Sequence, residues 1–221
     1  MNILIVASHP DDEILGCGGT IAKLSNQDNK VSLCILGEGV KSRDNWKQEE
    51  YDNLHNSIIK ANKCIGITED NIHVFDYPDN QFDSIPLLDI VKTITLVKNK
   101  VKPDIVFTHS PNCLNIDHKT TFDAVVTATR PMEDETVKSI YSFEILSSTE
   151  WSFPLSFNPN VFFDIKETIR DKVDALMKYK TEIRSYPHPR SSYGVYSYAQ
   201  LWGMKIGVPF AEAFECVRMI L

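Results

Sequence analysis

Short apolar runs alternate along this chain with longer stretches in which apolar side chains recur every three or four positions. The runs fall at residues 2–7, 31–37, 72–76 and 104–108. Runs of this length bounded by polar turns predict strands buried on both faces, as in a parallel sheet. Between the first two, Ile14, Leu15, Ile21, Ala22 and Leu24 keep near-helical spacing. Residues 47–65 repeat the pattern through Tyr51, Leu54, Ile58, Ile59, Ala61 and Ile65, then stop at Gly66. Helices are likewise predicted over 84–100, over Thr121 to Ala128 and near 166–183. Beyond about residue 130 the alternation weakens, and Pro131, Pro154 and Pro159 interrupt a stretch that reads as β-rich. Strand and helix in alternation give βαβ units. The expected fold is α/β: a Rossmann-like three-layer α/β/α arrangement with a mainly parallel sheet, in a single domain spanning 1–221.

The chemistry gathers where the first strand ends. Directly after Ile3-Leu4-Ile5-Val6-Ala7 comes His9-Pro10-Asp11-Asp12-Glu13. An imidazole and two carboxylates then stand at the C-terminal edge of a strand, where open α/β sheets place their sites, and these are ligand types for a divalent metal. Adjacent Asp11 and Asp12 point in different directions in a tight turn, so one can bind metal while the other holds a proton. Asp117-His118 completes the set, lying after the run Asp104-Ile105-Val106-Phe107-Thr108. Two histidines and one aspartate leave coordination positions open on a metal such as zinc, where a water can bind and become acidic enough to react at neutral pH.

At these residues the chain resembles the PIG-L (LmbE-like) family of zinc-dependent N-deacetylases. The opening motif of that family is complete here as Ser8-His9-Pro10-Asp11-Asp12-Glu13, and its second motif stands as Asn115-Ile116-Asp117-His118. The resemblance implies that His9, Asp12 and His118 hold Zn²⁺ or another divalent metal and that Asp11 is the general base. It implies an N-acetylated amino sugar as substrate. Asn115 occupies the place where many members carry a histidine, so an acid or oxyanion role falls to Asn115 and to some further group. His188, in Pro187-His188-Pro189-Arg190, is the candidate for that group.

Substrate contacts are expected from Asp79 after the third strand and from Arg43 and Trp46 in the polar stretch Glu38 to Trp46, which reads as a mobile loop at the mouth of the site. Arg190 and Arg218 are candidates for a substrate phosphate, which points to a nucleotide-linked or glycoconjugate-precursor sugar. Glu13 and Asp117 are expected behind the ligands, orienting them. His55, His73 and His109 read as structural. Gly16-Cys17-Gly18-Gly19 has the wrong spacing for a dinucleotide-binding turn and reads as close helix packing.

Composition narrows the classes. A net charge of −7 and a pI near 5.4 argue against nucleic-acid binding, which needs clustered Lys and Arg. Five scattered cysteines without a CxxC pair favour a reducing compartment over a disulfide framework. With neither a signal-peptide pattern nor an apolar run of spanning length, a cytoplasmic protein with no membrane partner is expected, and a homo-oligomer stays open. Two rival readings remain: a noncatalytic sugar-binding or regulatory protein, and a non-haem iron enzyme with the same ligand types.

Overall fold

The computed structural model describes residues 1–37, 39 and 46–221. Its seven strands are β1 (Asn2–Ala7), β2 (Lys30–Gly37), β3 (Ile72–Tyr77), β4 (Ile105–His109), β5 (Ser139–Phe143), β6 (Val161–Asp164) and β7 (Ala211–Met219). They form one sheet in the order β3-β2-β1-β4-β5-β7-β6. The first five are parallel, and β7 runs antiparallel to both β5 and β6. The mainly parallel α/β fold expected from the alternation of runs is the fold observed.

Among the described residues six α-helices cover the faces: α1 (Asp12–Ser25), α2 (Gln48–Cys64), α3 (Leu87–Val101), α4 (Ile116–Ala128), α5 (Ile169–Leu176) and α6 (Ser192–Ile206). Because side chains of a strand alternate between faces, β1 serves two cores. Ile3, Ile5 and Ala7 pack into the core that includes Ile14 and Ile21 of α1, Ile58 of α2 and Leu176 of α5. Leu4 and Val6 pack against Ile90 and Ile94 of α3 and Ala124 and Val125 of α4. That is why this strand reads as an unbroken apolar run. The chain order reverses between β1 and β4, so their C-terminal ends open a crevice at the topological switch point.

Helix α1 is bent at Cys17, whose φ of −146° and ψ of 17° leave the helical region. The bend frees backbone groups, and distant side chains satisfy them. Lys172 Nζ donates to the Leu15 carbonyl at 2.8 Å, while Glu212 accepts from the Gly19 and Thr20 amides at 2.9 and 2.7 Å. A Cβ at Gly16 would lie 2.3 Å from the Phe143 ring and one at Gly19 2.8 Å from Ile165. The glycines therefore serve packing, as their spacing suggested.

The C-terminal third departs from expectation. The helix predicted over 166–183 ends at Leu176, because tight turns then carry Tyr179 into the core, where it is fully buried. Helix α6 follows after Ser191, whose Oγ accepts from the Gly194 amide at 3.0 Å, and it ends at left-handed Gly207. Among the described residues no helix is long and apolar enough to cross a membrane.

Candidate metal centre

The loop after β1 and the start of α4 meet at the crevice. His9 lies two residues past β1, Asp12 opens α1, and His118 sits in the first turn of α4. Asp12 Oδ2 is 3.4 Å from His9 Nδ1 and 3.3 Å from His118 Nε2. Those separations exceed the 2.7–2.9 Å of a charge-assisted hydrogen bond. They match the edge of a zinc tetrahedron, since ligands about 2.0–2.2 Å from the metal lie about 3.4 Å from one another. One donor atom from each of the three residues falls within 4.8 Å of the others. The donor set and its spacing fit a divalent cation, and His9, Asp12 and His118 could hold one.

The electrostatics suit the same occupant. Burial pushes the Asp12 carboxyl up, yet the neighbouring imidazoles, His118 foremost, hold it well below the usual carboxylate range. Burial lowers His118, but the Asp12 charge together with hydrogen bonds to Asp12 and Cys113 outweighs it and raises the pKa to about 9. His9 is raised too, its burial overcome by hydrogen bonds led by that from Asp117. The cluster favours positive charge, and a cation can take the place of those protons.

The second nitrogen of His9 is also engaged. Its Nε2 lies 2.8 Å from Asp117 Oδ2 and 2.9 Å from Asp79 Oδ1. Asp117 further accepts from the amides of Asn80 at 2.6 Å and Phe82 at 2.9 Å, tying the turn after β3 to α4. His109 comes within 3.5 Å of Asp12, but its Nε2 accepts the Ser8 amide at 2.9 Å and is not free for a metal.

Asp11 takes a different set of partners. Its φ of 97° is left-handed, rare for a residue with a side chain, and it lines the same cavity as Asp12. Arg190 Nη1 donates to Asp11 Oδ2 at 2.9 Å, while Arg190 Nε donates to Ser147 Oγ at 2.8 Å. Burial raises the Asp11 carboxyl well above the usual range, with Arg190 opposing and Asp12 adding to the rise. Glu13 turns inward, accepting from the Asp11 amide at 3.1 Å, Asn62 Nδ2 at 2.9 Å and the Tyr179 hydroxyl at 2.6 Å.

Among the described residues, His9, Asp11, Asp12, Asp79, Asn115, His118 and Arg190 line one cavity of about 220 Å³, with Gly39, Ser147, Ser148 and Glu182 on its wall. Asn115 caps α4, its Oδ1 accepting the Asp117 amide at 2.8 Å, and its Nδ2 reaches Asn80 Oδ1 at 3.3 Å. His188 is not among the lining residues. Its Nδ1 accepts the Arg190 amide at 3.2 Å, and its ring meets Trp151 edge-on at 6.1 Å. Arg218 corrects an expectation: it donates to the carbonyls of Thr129 at 2.7 Å and Val137 at 3.2 Å, joining the end of α4 to the start of β5, away from the cavity. It binds backbone, not a substrate phosphate. Arg43 lies outside the described residues, Trp46 packs against the larger core, and His55 is exposed on α2.

A mainly parallel sheet with carboxylates and imidazoles at its switch point defines an open α/β protein with its polar site in the crevice at the strand ends. The chain belongs to the PIG-L family: the family profile described as "GlcNAc-PI de-N-acetylase" matches residues 4–129, more than half of its length. It is 28% identical over 185 residues to the "Uncharacterized deacetylase YaiS" of Escherichia coli K12, covering 81% of this chain and 90% of that one. The fold is similar to N,N'-diacetylchitobiose deacetylase from Pyrococcus horikoshii, with a TM-score of 0.79 and 20% identity over 98% of this chain and 83% of that chain. It is also similar to GalB, a 4-carboxy-2-hydroxymuconate hydratase from Pseudomonas putida KT2440, with a TM-score of 0.74 and 17% identity over 100% of this chain and 98% of that one. The fold alone therefore does not select one reaction.

Proposed function

We propose that the protein is a metal-dependent N-deacetylase that hydrolyses the acetamide of an N-acetylated amino sugar. The observation that carries this reading is a buried base beside a cation-ready donor set: Asp11, with its pKa raised, faces the cavity that His9, Asp12 and His118 share. Family membership and a relative named as a deacetylase support it.

Zinc, or another divalent metal, would be held by His9 Nδ1, Asp12 Oδ2 and His118 Nε2, and when bound it supplies Lewis acidity that polarises a carbonyl and acidifies water. Asp11 takes the proton of the attacking water, a task for which a raised carboxyl pKa brings it nearer the operating pH. The Arg190 guanidinium holds Asp11 in place and keeps a fraction of it ionised against the cost of burial. Asn115 lines the cavity, and its Nδ2, which gives one hydrogen to Asn80 Oδ1, offers the other as a neutral donor for the developing oxyanion. Return of the proton to the leaving amine is assigned to Asp11, since His188 is not among the residues that line the cavity. Asp79 lines the cavity, its carboxylate meeting His9 at 2.9 Å, and is placed there to contact a sugar hydroxyl.

A phosphate-bearing substrate loses its main support. Arg218 is remote from the cavity and Arg190 is paired with Asp11. The substrate class is accordingly the N-acetyl amino sugar itself.

The test is acetate release by the zinc-loaded protein from N-acetylglucosamine, diacetylchitobiose and an N-acetylglucosaminyl lipid. Release is expected from at least one of them. Asp11→Asn should lower turnover by about 10²- to 10⁴-fold with metal content retained. No release from any of these, with metal bound, sinks the proposal, and hydration of an unsaturated acid instead would move the protein to the chemistry of the hydratase neighbour.

A further inference from the structure

The metal reading leaves one nitrogen of the cluster unexplained. His118 presents Nε2 to Asp12, so a cation at that point takes the Nε2 lone pair and leaves the ring proton on Nδ1. Ligating imidazoles usually give that proton to a carboxylate, a carbonyl or water. Here Nδ1 lies 3.0 Å from Cys113 Sγ.

We propose, resting on the metal reading above, that Cys113 is a positioning residue: its sulfur accepts the His118 Nδ1 proton and so fixes both the tautomer and the aim of this ligand. The thiol is built in. Cys113 is fully buried, and its sulfur lies 2.9 Å from Ser148 Oγ and 3.4 Å from Thr149 Oγ1, both in the turn after β5. A thiol in this position has a consistent set of partners: sulfur accepts from His118 and Thr149 while S–H donates to Ser148. His109 stacks on the other side of the problem, its ring 4.0 Å from that of His118 and only 18° from parallel. Stacking fixes the plane of the ring but permits a half-turn within it. Cys113 forbids that half-turn, because a flipped ring would turn carbon toward the sulfur and misplace Nε2.

The role is distinct from packing and can be separated from it. Zinc affinity is measured by competition with a chromophoric chelator for wild type, Cys113→Ala, Cys113→Val and Cys113→Ser, with thermal melting of the metal-free proteins alongside. Loss of the acceptor in the Ala and Val variants should weaken zinc binding by about 10–100-fold, the usual effect of removing a partner behind a metal ligand. Serine retains an acceptor and should recover most of that loss. The visible absorption bands of the cobalt-substituted protein should change in the Ala and Val variants and much less in the Ser variant.

Valine fills the space if alanine fails to fold, so at least one acceptor-free protein can be read. A folded acceptor-free variant with wild-type zinc affinity and an unchanged cobalt spectrum overturns the role of Cys113 and leaves the metal reading standing. So does equal weakening in all three variants in step with their melting temperatures, which marks the thiol as packing only. Wild-type protein that takes up no divalent cation overturns both.

Discussion

Two clusters of buried charge lie along α1, and they are built to opposite specifications. At the bend, Lys172 Nζ meets Glu212 Oε1 at 2.6 Å, and both groups are further engaged by the Leu15 carbonyl and the Gly19 and Thr20 amides. At the start of the helix, Asp12 Oδ2 stands 3.3–3.5 Å from three ring nitrogens and opens on a cavity. In the first cluster the two charges meet directly, whereas in the second Asp12 Oδ2 takes one close bond, from the His9 amide at 2.9 Å, and stands off from the rings. Burial of charge is common to both, so burial does not separate a structural pair from a site. What separates them is whether the partners finish one another's bonding.

The comparison is broken most forcefully by removing one member of each cluster. His118→Ala should release zinc and drop acetate production to background while the protein stays folded, because two donors remain where three are needed. Zinc affinity within tenfold of wild type would show that the open cluster is not a metal centre. Glu212→Ala should act in the opposite sense, costing about 3–5 kcal/mol in urea unfolding because Lys172 is left buried and uncompensated. Stability unchanged by this substitution would mean the pair at the bend is dispensable.

A carboxylate beside the closed cluster sharpens the contrast through pH. Glu144 accepts from Trp202 Nε1 at 2.6 Å and from the Tyr198 hydroxyl at 3.2 Å, and burial raises its pKa from 4.5 to about 7. The folded state thus binds this proton more tightly than the unfolded chain. Stability from the group is complete below pH 4.5 and is lost as pH rises through about 7, a difference of up to about 3 kcal/mol. Glu144→Gln removes the dependence, so its stability relative to wild type should improve between pH 5 and pH 8. A relative stability that does not move over that range contradicts the assignment.

The smallest effect is expected at Asn115. As the cap of α4 its loss in Asn115→Ala should cost about 1 kcal/mol in thermal unfolding. Asn115→Asp keeps the cap but removes the Nδ2 donor, so stability should hold while turnover falls. Equal turnover in Asn115→Asp would exclude the amide from the reaction.

Much of this architecture was readable in the residues. The β1 run and the His9 to Glu13 string mark the loop after β1 because both depend on local pattern, and Asp117-His118 marks the second approach for the same reason. Positions defined by long-range meetings were not readable. Arg190 reaches Asp11 from 179 residues away, and nothing in Pro187-His188-Pro189-Arg190 distinguishes that partner from a substrate phosphate. Cys113 looked like one of five scattered cysteines until folding set it behind His118. Tyr179 stops α5 early because its hydroxyl is needed at Glu13, a tertiary demand that overrides helical spacing. Helix α6 escaped notice because its glycines and tyrosines blur the periodicity by which the other helices are recognised.

The left-handed backbone at Asp11 has an evolutionary corollary. Glycine would occupy φ of 97° with backbone relief on the order of 1 kcal/mol, so the backbone alone favours drift toward glycine, set against the loss of the partner of Arg190. A lineage that took that path would keep a relaxed backbone around an idle pocket. Retention of aspartate against this gradient, wherever homologues are sampled, would be a mark of selection for turnover over durability.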